Sequence, residues 1–311
     1  MGPSGRKREG YLLSPEHESS SDTDDRLSST DDQIRTTDYG LRTTDSSTLL
    51  RSVPDLPDHE VRRLLEAATG RHWTDLLLGT DLTTGELEAF YGFVERRRSG
   101  EPLQYIEGTV PFGPIEVAVD PRVLVPRPET EQLYEIACDA VEDPLVIVDI
   151  CTGSGNLAIA LKHTFPSAAI YATDISPDAV DLARDNARDA GLDVTVLGGD
   201  LFDPLPDHLR GRIDLIVSNP PYLAAAELAD LPIDVRDHEP TVALVAGPVG
   251  DEVLVRIAAA ALEWLRPGGV IICEISEFHG PTVAGHFASL DGEIRRDLSG
   301  KERFVIGAAR Q

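Results

Sequence analysis

Lysine is nearly absent. Of 311 residues only Lys7, Lys162 and Lys301 carry an ammonium side chain, and arginine supplies the rest of the basic charge. Acidic residues outnumber basic ones by 54 to 28, leaving a formal net charge of −26. Phosphate backbones are held by lysines and arginines that release counterions, so a nucleic-acid duplex is a poor partner for such a surface. Cysteine is scarce too. Cys138, Cys151 and Cys273 lie in apolar periodic segments without C-x-x-C spacing. They read as buried free thiols in a reducing compartment, and no metal site is assigned. No apolar run reaches the length of a membrane span, and no apolar leader stretch is evident near residue 1. A cytoplasmic protein without membrane contact is expected. What is plentiful is apolar side chain, 41% of the chain, enough for one large or two modest domains.

Residues 1–52 are rich in Ser, Thr and Asp, as in Ser28-Ser-Thr-Asp-Asp32. Little there can be buried, so ordering would not recover its entropy cost, and a disordered acidic tail is expected. Helical spacing follows over 53–105. Asp58 opens a helix carrying Val61, Leu64 and Leu65 that Gly70 closes. Thr83 or Thr84 caps another with Leu87, Phe90 and Val94, ending in Arg96, Arg97 and Arg98. These helices form a small lobe, and the arginines read by default as a solvated helix end. Alternation in 101–106 and 110–125 predicts a β-hairpin, assigned to 106–126, that links the lobe to the rest. Glu129 or Thr130 then begins a helix. Beyond it short apolar strands at 145–150, 169–173, 193–197, 213–218 and 270–274 alternate with helices near 155–164, 177–190, 223–231 and 250–266. Phe304-Val-Ile306 fits an added edge strand. This rhythm predicts an α/β, Rossmann-like domain over 127–311, with a parallel-rich sheet and helices on both faces.

The strand at 213–218 stops on Asn219-Pro220-Pro221-Tyr222. Neither proline donates a ladder hydrogen bond, and Pro220 pushes Asn219 out of the helical region. A primary amide and an aromatic ring are thereby held in a stiff corner. The Asn219 carboxamide offers one acceptor group and two donors, and the carbonyls of Ser218, Asn219 and Pro220 add acceptors. That is a receptor for a planar group bearing an NH2, with Tyr222 as a face beside it.

The strand at 145–150 runs into Asp149-Ile-Cys151-Thr152-Gly153-Ser154-Gly155, whose glycines let a ligand lie against bare backbone. Asp174 ends the next strand, nineteen residues past Gly155, where nucleotide sites place a carboxylate on the ribose. A nicotinamide dehydrogenase is the obvious competitor. Against it, Ala158 stands where the third fingerprint glycine belongs, and Asp149 would repel a pyrophosphate. The same charge suits the α-ammonium of S-adenosylmethionine. Asp200, followed by Leu201 and Phe202, gives an acceptor and apolar contacts for adenine. Singly, each of these is an ordinary loop residue of an acidic chain. In order, they supply an ammonium site, a ribose site, an adenine site and an amide receptor.

Five segments, D-I-C-T-G-S-G (149–155), G-D-L-F (199–202), N-P-P-Y (219–222), R-R-x-G-E-P-L-Q-Y-I (97–106) and V-P-R-P-E-T-E (125–131), resemble the bacterial HemK/PrmC family. Those enzymes methylate the glutamine of the Gly-Gly-Gln loop in peptide chain release factors. The resemblance runs from about residue 54 to 310. It implies a class I methyltransferase domain, S-adenosylmethionine as cofactor and release factors as protein substrates. It puts Gly153, Gly155, Asp174, Leu201 and Asn219 on the cofactor, with Asn219, Pro220, Pro221 and Tyr222 on the glutamine. Asp149, Cys151, Thr152, Ser154 and Asp200 complete the expected cofactor set, and Asn219, Pro220 and Tyr222 form the expected catalytic set. There are departures from the pattern. Gly247-Pro-Val-Gly-Asp251 replaces a G-G-x-D-G loop, and Glu274-Ile-Ser-Glu-Phe-His279 replaces E-I-G-x-x-Q. His238 and His279 are possible proton acceptors, although a structural role is preferred for both. The alternatives are glutamine methylation of another protein, such as a ribosomal one, adenine-N6 methylation of nucleic acid, and a cofactor-binding scaffold without activity. N-P-P-Y alone also resembles adenine-N6 enzymes, which the net charge disfavours.

Overall fold

Apolar residues at 49, 53, 61, 64 and 65, all at most 1% exposed, mark where the helical lobe takes shape. The computed structural model describes residues 46–78 and 81–310. Residues 1–45, most of the expected tail, lie outside the described residues. The end of that segment is no tail. Ser46–Ser52 is a helix, α1, because Leu49 finds burial beside Val53 in the lobe core. Next come α2 (Asp58–Thr69), α3 (Trp73–Leu77) and α4 (Thr84–Arg98). Pro57 rather than Asp58 occupies the N-cap of α2, and Gly70 closes it in the left-handed region at φ 65°. Thr83 caps α4 through a capping box with Glu86.

The stretch 101–106 is not a strand. Leu103–Glu107 forms a short helix, α5, between Pro102 and Gly108. Leu103 and Ile106, three apart, face the lobe core, while Tyr105 turns to the residues that follow. A period of three had been masked by the apparent alternation. The hairpin is therefore shorter than 106–126, with β1 (Thr109–Phe112) paired to β2 (Ile115–Ala118). Val117, Val119, Val123 and Val125 then pack on Ile159, Ala179 and Leu182 of the main domain.

The main domain runs α6 (Pro128–Ala140), β3 (Val146–Ile150), α7 (Asn156–Thr164), β4 (Ala169–Asp174), α8 (Pro177–Asp189), β5 (Val194–Gly198) and β6 (Ile213–Ser218). It continues through β7 (Leu223–Ala224), α9 (Ile233–Arg236), α10 (Thr241–Leu244), β8 (Val245–Gly247), α11 (Glu252–Trp264) and β9 (Leu265–Glu274). It ends with α12 (Gly280–His286), β10 (Glu293–Arg296) and β11 (Glu302–Ala308). The helix expected at 223–231 is instead β7, paired with β8, followed by a 3-10 turn at Ala225–Asp230. None of that turn's residues is buried, so it has no packed face to hold a longer helix.

Seven strands form one sheet in the order β10-β11-β9-β6-β3-β4-β5, with β9 to β5 parallel and the last two strands added antiparallel. Successive residues of β3 serve opposite cores. Val148 joins Ile257 and Trp264 of α11, while Ile147 joins Leu133 of α6 and Leu157 of α7. Burial on both faces is why these strands read as unbroken apolar runs. Strand order reverses between β3 and β6, and ligands bind beyond the carboxyl ends of strands at such a switch point. In register there, Ile150 lies opposite Thr173 and Ser218, and Ser218 lies opposite Cys273. The next residues along, Cys151, Asp174, Asn219 and Glu274, therefore emerge side by side.

Candidate active site

The loop after β3 turns through three left-handed positions, Cys151 at φ 60°, Gly153 at 55° and Gly155 at 81°. At Gly155 a Cβ would lie 3.1 Å from Ile159 Cδ1 and 3.2 Å from Ala183 Cβ, so only glycine lets α7 and α8 close up there. At Gly153 a Cβ would meet nothing within 4 Å, because that side opens on a cavity. Gly153, Cys151, Thr152 and Ser154 line the cavity, but Gly155 does not. Asn186 of α8 secures the loop from behind. Its Nδ2 donates to Ser154 O at 2.8 Å and its Oδ1 accepts the Ala118 N–H at 2.9 Å, tying hairpin, helix and loop together.

Asp174 lines the same cavity. Its Oδ2 accepts the Gly153 N–H and its Oδ1 the Ser176 N–H, each at 2.9 Å. Burial raises the carboxyl above its usual value, opposed by these backbone donors. Asp149 is placed differently from the expectation. It is fully buried beneath the loop and is not part of the cavity wall. Its Oδ2 accepts from Thr152 Oγ1 at 2.5 Å and from the Ala158 N–H at 3.2 Å, while Oδ1 has no side-chain or backbone partner. Burial pushes this carboxyl up to about 7. A residue on a strand covered on both faces has no path to solvent, so Asp149 braces the loop where a contact to an ammonium was expected.

Asp200 and Leu201 also line the cavity, with Asp200 Oδ2 2.6 Å from Arg256 Nη2. Phe202 does not. It turns inward to stack on Trp264, ring centroids 5.8 Å apart. Thr173 Oγ1, buried in the cavity wall, has no protein partner. A wall with bare backbone at Gly153, carboxylates at Asp174 and Asp200, a spare hydroxyl and the apolar face of Leu201 fits S-adenosylmethionine.

Asn219 stands where this cavity meets a second one. Asn219, Leu124 and Ala243 line both; Pro221 faces the first, and Pro220 and Tyr222 face the second together with Arg127. Asn219 Nδ2 donates to Thr130 Oγ1 at 2.9 Å, and that hydroxyl donates to Glu274 Oε2 at 2.8 Å. The Tyr222 hydroxyl donates to Glu274 Oε1 at 3.1 Å. Burial pushes the Glu274 carboxyl up to about 7, opposed by Thr130, Tyr222 and the positive charge of Arg303. Burial likewise holds the Tyr222 hydroxyl well above its usual value. Thr130 and Glu274 do not stand out as site residues in the sequence, although they belong to two of its motif segments, V-P-R-P-E-T-E and E-I. Arg127, from the first of these, pairs with the buried Glu239 at 2.6 Å and pins the segment after N-P-P-Y.

His238 and His279 line neither cavity. Arg96, Arg97 and Arg98 are engaged in ion pairs with Glu101 at 2.5 Å, Glu60 at 2.7 Å and Asp55 at 2.7 Å. Among the described residues no helix is long and apolar enough to cross a membrane.

Two family models match the chain, the PrmC N-terminal domain over residues 44–108 and the methyltransferase small domain over residues 138–231. The release factor glutamine methyltransferase of Deinococcus radiodurans is 40% identical over 267 residues, covering 84% of this chain and 94% of its own. That of Geobacter sulfurreducens is 40% identical over 253 residues, covering 80% and 88%. That of Mycolicibacterium smegmatis is 43% identical over 225 residues, covering 70% and 79%. A site built at the β3–β6 switch point, a matching N-terminal lobe and relatives alike over most of their length agree: the chain belongs to the release factor glutamine methyltransferase family.

Proposed function

We propose that this chain transfers a methyl group from S-adenosylmethionine to the side-chain nitrogen of a glutamine, the one in the Gly-Gly-Gln loop of a peptide chain release factor. The observation that carries this reading is the meeting of two cavities at Asn219, one suited to the cofactor and one walled by Pro220, Tyr222 and Leu223. Bound in the first, S-adenosylmethionine supplies a methyl carbon made electrophilic by its sulfonium.

An amide nitrogen is a weak nucleophile because its lone pair is delocalised into the carbonyl. Asn219 spends its Nδ2 on Thr130, so Oδ1 remains to accept one N–H of the glutamine. The Pro220 carbonyl, with no competing N–H at 220 or 221, accepts the other. Two acceptors favour electron density on nitrogen and aim it toward the first cavity; alignment of this kind supplies up to about 7–11 kcal/mol in well-oriented systems. As the N–CH3 bond forms, the S–CH3 electron pair stays on sulfur, and the amide proton departs afterwards along one of these hydrogen bonds. No strong base is required. With its hydroxyl on Glu274 and its ring against the core, Tyr222 forms a wall for the glutamine.

Incubation with labelled S-adenosylmethionine and a purified release factor, followed by mass-spectrometric mapping, tests the reading. Label on the Gly-Gly-Gln glutamine is expected and none on adenine-containing DNA. Label on the DNA alone would reject it.

A further inference from the structure

Asn219 has two nearly isosteric ends, and only one of them serves an amide substrate. If Oδ1 faces the substrate, the site accepts an N–H; if Nδ2 faces it, donor meets donor. What selects between the two is the hydroxyl of Thr130, and a hydroxyl can accept from Asn219 only while its own proton points elsewhere. That proton goes to Glu274 Oε2, and the other carboxylate oxygen takes the Tyr222 proton.

We propose that Glu274 and Thr130 form a directional relay that sets the orientation of the Asn219 amide, with ionised Glu274 holding the acceptor end toward the substrate. This rests on the glutamine-methylating role proposed above. As a carboxylate, Glu274 only accepts, so the Thr130 hydroxyl must donate to it and offer a lone pair to Asn219 Nδ2. Once Glu274 takes a proton on Oε2 it donates to Thr130 instead. The Thr130 proton is then free to seek Asn219 Oδ1, and the amide turns its NH2 toward the substrate. Glu274 lines neither cavity, and Thr130 lines the first cavity beside Asn219; both are positioning residues that act on the reacting nitrogen through Asn219.

The surroundings make Glu274 responsive. It is 1% exposed at the end of β9. The charged and titratable groups facing it are Tyr222 from the N-P-P-Y corner, Arg303 from β11, whose charge favours ionisation, and Glu129 from α6, whose charge opposes it. Arg303 Nε is itself 3.5 Å from Asp297 Oδ2. Burial carries the Glu274 carboxyl into the neutral range, where a modest change of pH alters its ionisation.

Two measurements on the full chain test the relay separately from the reaction. The first is the side-chain amide resonance of Asn219 in 15N-labelled protein without ligands. It is expected to titrate near neutrality in the native chain and to lose that titration in Glu274→Gln and in Thr130→Val. A resonance indifferent to pH in the native chain, or unaltered in its titration by Glu274→Gln, overturns the relay whatever the substrate proves to be. The second is methyl transfer to a release factor. Thr130→Val is expected to lower kcat about ten- to a hundredfold, with KM for S-adenosylmethionine little changed and Thr130→Ser restoring most of the rate. Glu274→Gln can still accept from Thr130 through its carbonyl oxygen, so it is expected to retain activity but lose the pH dependence of kcat around neutrality. A native chain active on glutamine whose kcat is unmoved by Thr130→Val overturns the relay alone. A native chain that leaves glutamine unmodified while the resonance titrates as described overturns the substrate reading and leaves the relay standing.

Discussion

The Gly153 N–H donates to Asp174 Oδ2 at 2.9 Å, joining the loop after β3 to the end of β4 through one carboxylate. Asp174 therefore holds the loop in shape and also lines the cavity. Asp174→Ala removes both contributions, and a hydrogen bond to a charged group is worth about 1.5–3 kcal/mol. S-adenosylmethionine affinity is expected to fall about ten- to a hundredfold by calorimetric titration. Asp174→Asn, which keeps one carbonyl oxygen, should lose less. Unaltered affinity in Asp174→Ala would reject the ribose assignment.

Where burial came from both sides of the sheet, the residues displayed it. β3, β4 and β6 appear as apolar runs because helices cover both faces, and the Pro220-Pro221 stop and the Gly153 turn show where β6 and β3 end. The site was legible to the same depth, as far as strand ends reveal what lies beside them. What was hidden depended on contacts between distant segments. Thr130 meets Asn219 across 89 positions and Glu274 across 144, and neither spacing leaves a local pattern. Asp149 misled because its type suggests exposure while its strand position forbids it. Leu103, Tyr105 and Ile106 fit either period in so short a stretch, and Pro102 with Gly108 decided for a helix.

The lobe begins earlier than composition indicates. Leu49 of α1 is fully buried with Val61, Leu64 and Phe90 around it in one cluster. Leu49→Ala is expected to cost about 2–5 kcal/mol of stability, read as a lower urea midpoint with unchanged slope. A neutral effect would mean that α1 contributes nothing to the lobe.

Stability should depend on pH in an uncommon direction. Asp149 and Glu274 are both pushed up to about 7 by burial, above their values in an unfolded chain. Between about pH 4 and about pH 7 the folded protein therefore binds more protons than the unfolded one, so these groups favour folding most at the acidic end and lose that contribution as pH rises. Carboxylates lowered by ion pairs, such as Glu60 by Arg97 and Glu101 by Arg96, oppose this only on further acidification. The urea midpoint is expected to be higher near about pH 5 than near about pH 8. Asp149→Asn should flatten that fall, and an identical slope in the variant would remove Asp149 as a cause.

Asn219 carries the sharpest prediction for the reaction. Alanine there deletes the acceptor that would hold one glutamine N–H and leaves Thr130 with a lone pair facing empty space. The wall of the first cavity at Gly153, Asp174 and Leu201 remains intact. Loss of a single group aimed at the reacting centre costs about 100- to 1000-fold in kcat in well-studied sites. Asn219→Ala is expected to lose turnover by at least that factor while S-adenosylmethionine affinity, measured by calorimetry, changes only a few-fold. A variant with raised KM for the release factor and native kcat would mean that Asn219 contributes equally to substrate and transition state. Orientation of the amide at this corner would then not be the source of the rate, because a group that aligns the nitrogen for attack must act on kcat.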